Sequence, residues 1–155
     1  KAIYSYVPKM IKYYLNENPI LHNIETFQMG NKGQRKYVED NVENMVIKKT
    51  DGSGGYDMLM GNKASEIEKD KYLKKVKKNP HNYIAQPILN LSTAPCIING
   101  KLAPRCLDLR PFAIFGANKI EVCPGGLTRV AMEEGSLVVN SSQGGGSKDT
   151  WIIKK

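Results

Sequence analysis

One stretch constrains this chain more than any other: Val46-Ile47-Lys48-Lys49-Thr50-Asp51-Gly52-Ser53-Gly54-Gly55-Tyr56-Asp57-Met58-Leu59. An apolar run, Met45 to Ile47, reads as the end of a strand that delivers Lys48 at its tip. A loop with three glycines in four positions follows, and a second apolar run, Met58 to Met60, returns from it. Glycine lacks the Cβ that keeps a backbone away from a ligand, and it permits positive φ. Successive N–H groups can then turn toward an anion while a lysine adds a compact positive charge. A hairpin tip of this kind can cover a triphosphate. Glycine also collects in ordinary hairpin turns, so the pattern by itself leaves both readings open.

The 155 residues suit one domain, or one and a half, with enough chain for a real core. No apolar run reaches 18 residues, so no segment of the sequence reads as a membrane span and no membrane partner is expected. The beginning, Lys1-Ala2-Ile3-Tyr4, is patterned like a helix rather than a signal peptide, and the absence of an initial Met suggests an excised segment. Net charge is +8, which invites a polyanion. The excess gathers at residues 63 to 78, seven lysines against three acids. No aromatic-rich strand accompanies them as a stacking platform, which disfavours nucleic acid. Cys96, Cys106 and Cys123 are widely spaced and form no CxxC pair, and His22 and His81 are far apart. A zinc site or a disulfide framework is therefore not expected, and reduced thiols in a cytoplasmic protein are the simplest account.

Residues 1 to 15 read as helix, with Pro8 opening a second helical segment and Asn16-Glu17-Asn18-Pro19 ending it. A short strand is expected around Ile24 to Phe27, and a helix from Lys32 to Val42 that feeds the Lys48 strand. Ser65-Glu66-Ile67-Glu68 has capping-box spacing and starts a helix whose acids lead and whose lysines trail, Lys74 to Lys78, as the helix dipole favours. The lysine run thus reads first as a solvated helix face. Asn79-Pro80 stops this helix, and Tyr83 to Leu89 forms a strand that leaves its sheet at Pro87. The remainder is β-rich: 96–98, 107–115, 120–122, 128–132 and 136–140, separated by turns at Asn99-Gly100, Gly116-Ala117-Asn118 and Glu133-Glu134-Gly135. Ser141 to Ser147 has the composition of a linker, but the apolar Trp151-Ile152-Ile153 follows it.

No Gly-Lys-Ser/Thr follows a glycine loop, and no Gly-x-Ser-x-Gly elbow exists. The chemistry on offer is a set of cations and amides. Lys48 and its glycine loop come first, then Asp108-Leu109-Arg110, then Arg129 after Gly125-Gly126, and finally Asn140-Ser141-Ser142-Gln143 before three glycines. Arg110 lies on an apolar strand with Asp108 on the same face, so either Asp108 is its structural partner or Arg110 faces a site. Arg129 reads equally as a surface residue.

In order along the chain stand Tyr6-Val7-Pro8 with Tyr13-Tyr14-Leu15, Val46-Ile47-Lys48 with Asp51-Gly52-Ser53-Gly54-Gly55-Tyr56, and Tyr83-Ile84-Ala85-Gln86-Pro87. Asp108-Leu109-Arg110-Pro111-Phe112, Pro124-Gly125-Gly126-Leu127-Thr128-Arg129-Val130-Ala131 and Val138 to Trp151 follow. Together they resemble the ATP-grasp superfamily, and closely its circularly permuted members, over nearly the whole chain. The resemblance implies an α+β fold: a helical lead-in at 1–19, a small mixed α/β nucleotide-binding lid at 20–88, and part of a β-rich core at 89–155. It implies an ATP-dependent carboxylate–amine ligase, similar to glutathione synthetase, D-alanine–D-alanine ligase and glutathionylspermidine synthase, working through an acyl phosphate with ATP and Mg²⁺.

By that resemblance, Lys48 holds the nucleotide phosphates, and Gly52, Ser53, Gly54 and Gly55 close over them. Gln86 and Pro87 line the adenine pocket, while Arg110, Arg129 and Asn140 face the transferred phosphoryl group. Lys1 stands where related proteins carry an early nucleotide-contacting lysine. One departure matters: the Glu-x-Asn pair that holds magnesium in this superfamily is not present, since Val138 precedes Asn140 by two. The metal ligands are then expected upstream of Lys1, and this segment alone is expected to be inactive. The implied partners are a carboxylate, an amine or peptide, and the remainder of a longer chain. Two rivals stand beside this reading. One is a non-catalytic nucleotide-binding or scaffold domain, the other a basic RNA-binding module.

Overall fold

The structure, a computed structural model, describes residues 1–52, 55–139 and 145–153. Ser53, Gly54 and Asn140 lie outside the described residues. The chain divides into two compact units, Lys1–Leu89 and Asn90–Lys155.

The first unit opens with a 3-10 turn, Ala2–Tyr6, that runs into helix α1, Val7–Leu15, with Pro8 in its first turn. Proline costs little there because the first helical N–H groups have no intrahelical acceptor. Asn16, in a left-handed conformation, ends the helix. Strand β1 (Phe27–Gln28) is shorter and later than the expected strand at Ile24 to Phe27. Helix α2 (Lys32–Asp40) is capped by Asn31, whose side chain accepts the Gln34 N–H at 3.1 Å. Strands β2 (Met45–Lys49) and β3 (Met58–Met60) flank the glycine loop. Helix α3 (Glu66–Lys78) starts with the expected capping box, Ser65 and Glu68 each satisfying the other's backbone donor. Strand β4 (Tyr83–Pro87) ends at its proline, as expected.

These four strands form an antiparallel sheet in the order β1-β4-β2-β3. Alternation sorts the side chains onto two faces. Met45, Ile47, Leu59, Tyr83 and Ala85 share one face and pack with Val38 of α2 and Val76 of α3 in a single buried cluster. Lys48 and Gln86 therefore occupy the opposite face, beside buried Val46 and Ile84. The N-terminal segment reaches this second face: Ser5 Oγ accepts from Gln28 Nε2 at 2.8 Å, and Tyr6 Oη donates to Gln28 Oε1 at 3.1 Å.

The lysine-rich helix is more tied down than its composition suggests. Lys69 is buried and bonds Glu43 at 2.9 Å and Glu66 at 2.8 Å, and these carboxylates raise its pKa. Lys75 pairs with Asp57 and Lys77 with Glu39. Much of this charge is thus neutralised within the unit.

The second unit is an antiparallel meander in the order β5-β6-β7-β8. Its strands are β5 (Thr93–Ile98), β6 (Lys101–Phe115), β7 (Ile120–Val130) and β8 (Gly146–Lys148). Asn99 and Gly100, at φ 51° and 75°, make the two-residue hairpin turn between β5 and β6. Three expectations need correction here. The segments expected at 120–122 and 128–132 join in one strand that ends at Val130: Gly126 pairs with Pro111, Val122 with Ala113, and a register shift between them takes up Cys123 to Gly125. A Cβ on Gly126 would sit 3.0 Å from the Arg110 carbonyl oxygen, so glycine is what lets the strands approach there. Residues 136–139 form no strand. Instead Gly146–Lys148, in the stretch read as linker-like, pairs with Thr128 to Val130.

Candidate nucleotide site

In the first unit, β2 carries Lys48 almost to the glycine loop. Its Nζ donates to Gln86 Oε1 at 2.8 Å, and Gln86 Nε2 donates in turn to Thr26 Oγ1 at 2.9 Å. Thr26 Oγ1 passes its own hydrogen to the Ile24 carbonyl at 3.0 Å. A donor at one end and an acceptor at the other fix which way the Gln86 amide points. Lys48 is half-buried, and burial first, then the nearby Lys1 charge, lowers its pKa. Among the described residues no carboxylate pairs with it, so it presents a partly desolvated cation held by a neutral amide. That is the electrostatic condition for holding an anion.

Lys1 holds the start of the loop. Its α-amino group donates to the Thr50 carbonyl at 3.1 Å, and its Nζ donates to the carbonyls of Lys49, at 2.9 Å, and Gly52. A Cβ at Gly52 would stand 3.5 Å from that Nζ, an ordinary contact, so glycine at 52 is not forced by crowding. Gly55 has φ 77° and does need glycine's freedom. On the far side Asp57, itself left-handed at φ 51°, is gripped by α3. Tyr72 Oη donates to the Asp57 carbonyl at 2.7 Å, and Lys75 Nζ reaches both carboxylate oxygens at 2.7 and 2.9 Å. Burial pushes the Tyr72 hydroxyl pKa up. Sequence reasoning missed this grip because residues 57, 72 and 75 are distant in sequence and carry no motif.

The structure brings Lys48 and Gln86 into contact. Pro87 ends β4 opposite Met45, and the next amide, Ile88 N–H, bonds the Asn44 carbonyl at 2.9 Å.

In the second unit, Arg110 and Arg129 share a face of the β6–β7 ladder. Asp108 is paired with Arg129 and Arg110 with Leu127, and directly opposed residues in an antiparallel pair point the same way. Asp108 Oδ2 accepts from Arg110 Nε at 3.3 Å and Nη2 at 3.2 Å. Of the two accounts of Asp108, the pair with Arg110 is present, yet Arg110 is not buried: 48% of its side chain is exposed. Its apolar neighbours Leu109, Phe112 and Ile114 are exposed as well. Arg129, by contrast, is 8% exposed, so it is no plain surface residue. Arg105, which the sequence did not single out, is also buried, and its guanidinium bonds the Met132 and Pro104 carbonyls.

No group of three or more His, Cys, Asp or Glu among the described residues could hold a metal ion. The donors present do not fit a magnesium site. Cys96, Cys106 and Cys123 are unpaired thiols. No helix among the described residues is long and apolar enough to cross a membrane.

Comparison with known proteins gives this arrangement its context. A protein of Synechocystis sp. is 51% identical over 154 residues, covering 99% of this chain and 32% of the relative. One of Mycobacterium tuberculosis is 52% identical over 153 residues, covering 99% of this chain and 28% of the relative. A Frankia casuarinae protein with the name "Putative glutamate--cysteine ligase 2-2" is 41% identical over 155 residues, covering all of this chain and 18% of the relative. The chain thus spans a third or less of these relatives' lengths. The family model described as circularly permuted ATP-grasp type 2 matches residues 1–131. This chain, an α+β fragment with two antiparallel sheets, belongs to the circularly permuted ATP-grasp type 2 family.

Proposed function

We propose that this chain is the nucleotide-handling portion of an ATP-dependent carboxylate–amine ligase. The observation that carries the reading is Lys48: half-buried, held by Gln86, and delivered by β2 into a glycine loop that is anchored at both ends. In this reading Lys48 holds the triphosphate, the amides of residues 52–55 cover it, and the Gln86-Pro87 backbone lines the adenine. Residues 20–88 act as the lid, with 1–19 as its lead-in and 89–155 as part of the core. Arg110, Arg129 and Asn140 meet the transferred phosphoryl group.

A substrate carboxylate oxygen attacks the γ-phosphorus, the bond to the β,γ-bridging oxygen breaks, and ADP leaves with that electron pair. The amine then attacks the acyl carbon and releases inorganic phosphate, its surplus proton passing to solvent. Negative charge moves between oxygens throughout, so fixed cations and amides supply what an acid–base pair would supply elsewhere. The name of the Frankia relative makes glutamate and cysteine the first substrates to try. Magnesium, which the superfamily uses, would take its ligands from chain outside these residues, which leaves this segment inactive by itself. A cytoplasmic location fits the three free thiols.

The second reading is a nucleotide-binding domain without catalysis, favoured by the lack of a carboxylate cluster among the described residues. The two are separated by incubating the longer polypeptide with ATP, Mg²⁺, glutamate and hydroxylamine. An acyl phosphate is trapped as a hydroxamate in step with ADP formation. ATP binding with no hydroxamate and no ADP, across a screen of carboxylates and amines, would instead support the non-catalytic reading.

A further inference from the structure

We infer that Asp108 is a positioning residue that holds the Arg110 guanidinium on the β6–β7 face it shares with Arg129, ready for the terminal phosphoryl group of a nucleoside triphosphate. The inference rests on the reading above, in which Arg110 meets that group. A residue spacing of two along β6 puts Asp108 and Arg110 on one face, and the ladder places Arg129 directly across from Asp108. One carboxylate therefore binds the Arg110 guanidinium on the face that also carries Arg129.

Among the described residues one of its oxygens is used. Oδ2 takes both bonds from Arg110, through Nε and Nη2, and leaves Nη1 with no acceptor among the described residues. Oδ1 is buried and has no hydrogen-bond partner among the described residues. Stability does not account for this arrangement. A half-exposed ion pair stabilises a fold little, whereas a buried carboxylate oxygen without a donor is costly. Arg110 has little else to hold it, since Leu127 directly across the ladder is itself exposed. An arginine left to its own rotamers would have to be ordered each time an anion arrived, and Asp108 removes that cost beforehand.

The test uses ATP and ADP as probes, with binding to the full-length polypeptide measured by calorimetry in Mg²⁺ buffer. The ratio of the two dissociation constants isolates the terminal phosphoryl group. Arg110→Ala should abolish the preference for ATP. Asp108→Ala, and the isosteric Asp108→Asn should the alanine variant fold poorly, should reduce it about tenfold, the kind of loss expected when a charged group is misplaced. ADP affinity should stay within about twofold in each, a result that general loosening of the sheet would not give. The double variant should be no worse than Arg110→Ala, because both changes remove one interaction. If Arg110→Ala loses the preference while both Asp108 variants keep it, or if Asp108 variants weaken ATP and ADP equally, Asp108 does not position Arg110. If the wild type has no ATP preference, or Arg110→Ala retains it, the underlying reading of Arg110 fails first.

Discussion

Lys48 and Gln86, on the neighbouring antiparallel strands β2 and β4, are joined Nζ to Oε1 at 2.8 Å on the sheet face away from α2 and α3. They are diagonal neighbours, Lys48 lying opposite Ile84 and Gln86 opposite Val46. The contact keeps the lysine extended along the sheet without cancelling its charge, because an amide oxygen accepts a hydrogen bond but carries no net charge. Gln86→Leu retains the shape and deletes the acceptor. It should weaken ATP–Mg²⁺ binding by about 1.5–3 kcal/mol, the worth of a hydrogen bond to a charged group. Calorimetry on the two proteins checks this, and equal affinities would show that Gln86 does not set Lys48.

Lys48 also carries a pH signature. Burial, then the Lys1 charge, lowers its folded-state pKa below the ordinary 10.5. Between that lowered value and 10.5 the unfolded chain binds the extra proton, so this residue makes stability rise with pH across that window. Lys48→Met should remove the rise. Denaturant unfolding of both proteins from neutral pH upward reads it as a difference that grows with alkalinity. A pH-independent difference would mean that Lys48 titrates like a surface lysine.

The far base of the glycine loop depends on α3. Tyr72→Phe deletes the 2.7 Å hydrogen bond to the Asp57 carbonyl and should cost about 1 kcal/mol. Lys75→Met removes the partner of the Asp57 carboxylate. Both changes should speed amide hydrogen exchange at residues 55–58 while leaving α2 unaffected. Exchange that accelerates evenly through the unit would show that the grip supports the whole fold and not the loop.

Gly61 is packed against backbone. A Cβ there would fall 1.7 Å from the Val42 carbonyl oxygen, and no side chain can rotate away to make room. Gly61 N–H also bonds the Met45 carbonyl at 2.9 Å, at the root of the Lys48 strand. Gly61→Ala should destabilise the first unit by about 3 kcal/mol or more, seen as a lowered denaturant midpoint. A variant as stable as wild type would refute the close approach of residues 42 and 61.

Local chemistry was legible in the sequence wherever a short-range rule governed it. Pro8 in the first turn, the Ser65–Glu68 box, the stop at Asn79-Pro80 and the exit at Pro87 all came out as expected. The misreadings arose where pairing between distant residues outweighs local composition. Residues 120–122 and 128–132 read as separate strands, but β6 runs beside both, and Gly126 permits its close approach while a register shift absorbs the residues between. Gly146 to Lys148 looks like a linker, but the edge of β7 offers it unpaired backbone groups. The burial of Arg129 and Lys69 was equally invisible, since burial is set by neighbours from other elements. Family membership was legible because many motifs stand in order, whereas no motif marks the Asp57–Tyr72–Lys75 grip.

In the proposed function Lys48 holds the phosphates of a nucleotide. The most direct test is calorimetric titration of ATP–Mg²⁺ into the full-length polypeptide and into its Lys48→Met variant, with circular dichroism confirming that both are folded. The wild type should bind saturably and the variant should lose at least about tenfold in affinity, since a charged contact to phosphate is removed. Equal affinity in two folded proteins, or no binding by the wild type, would contradict it.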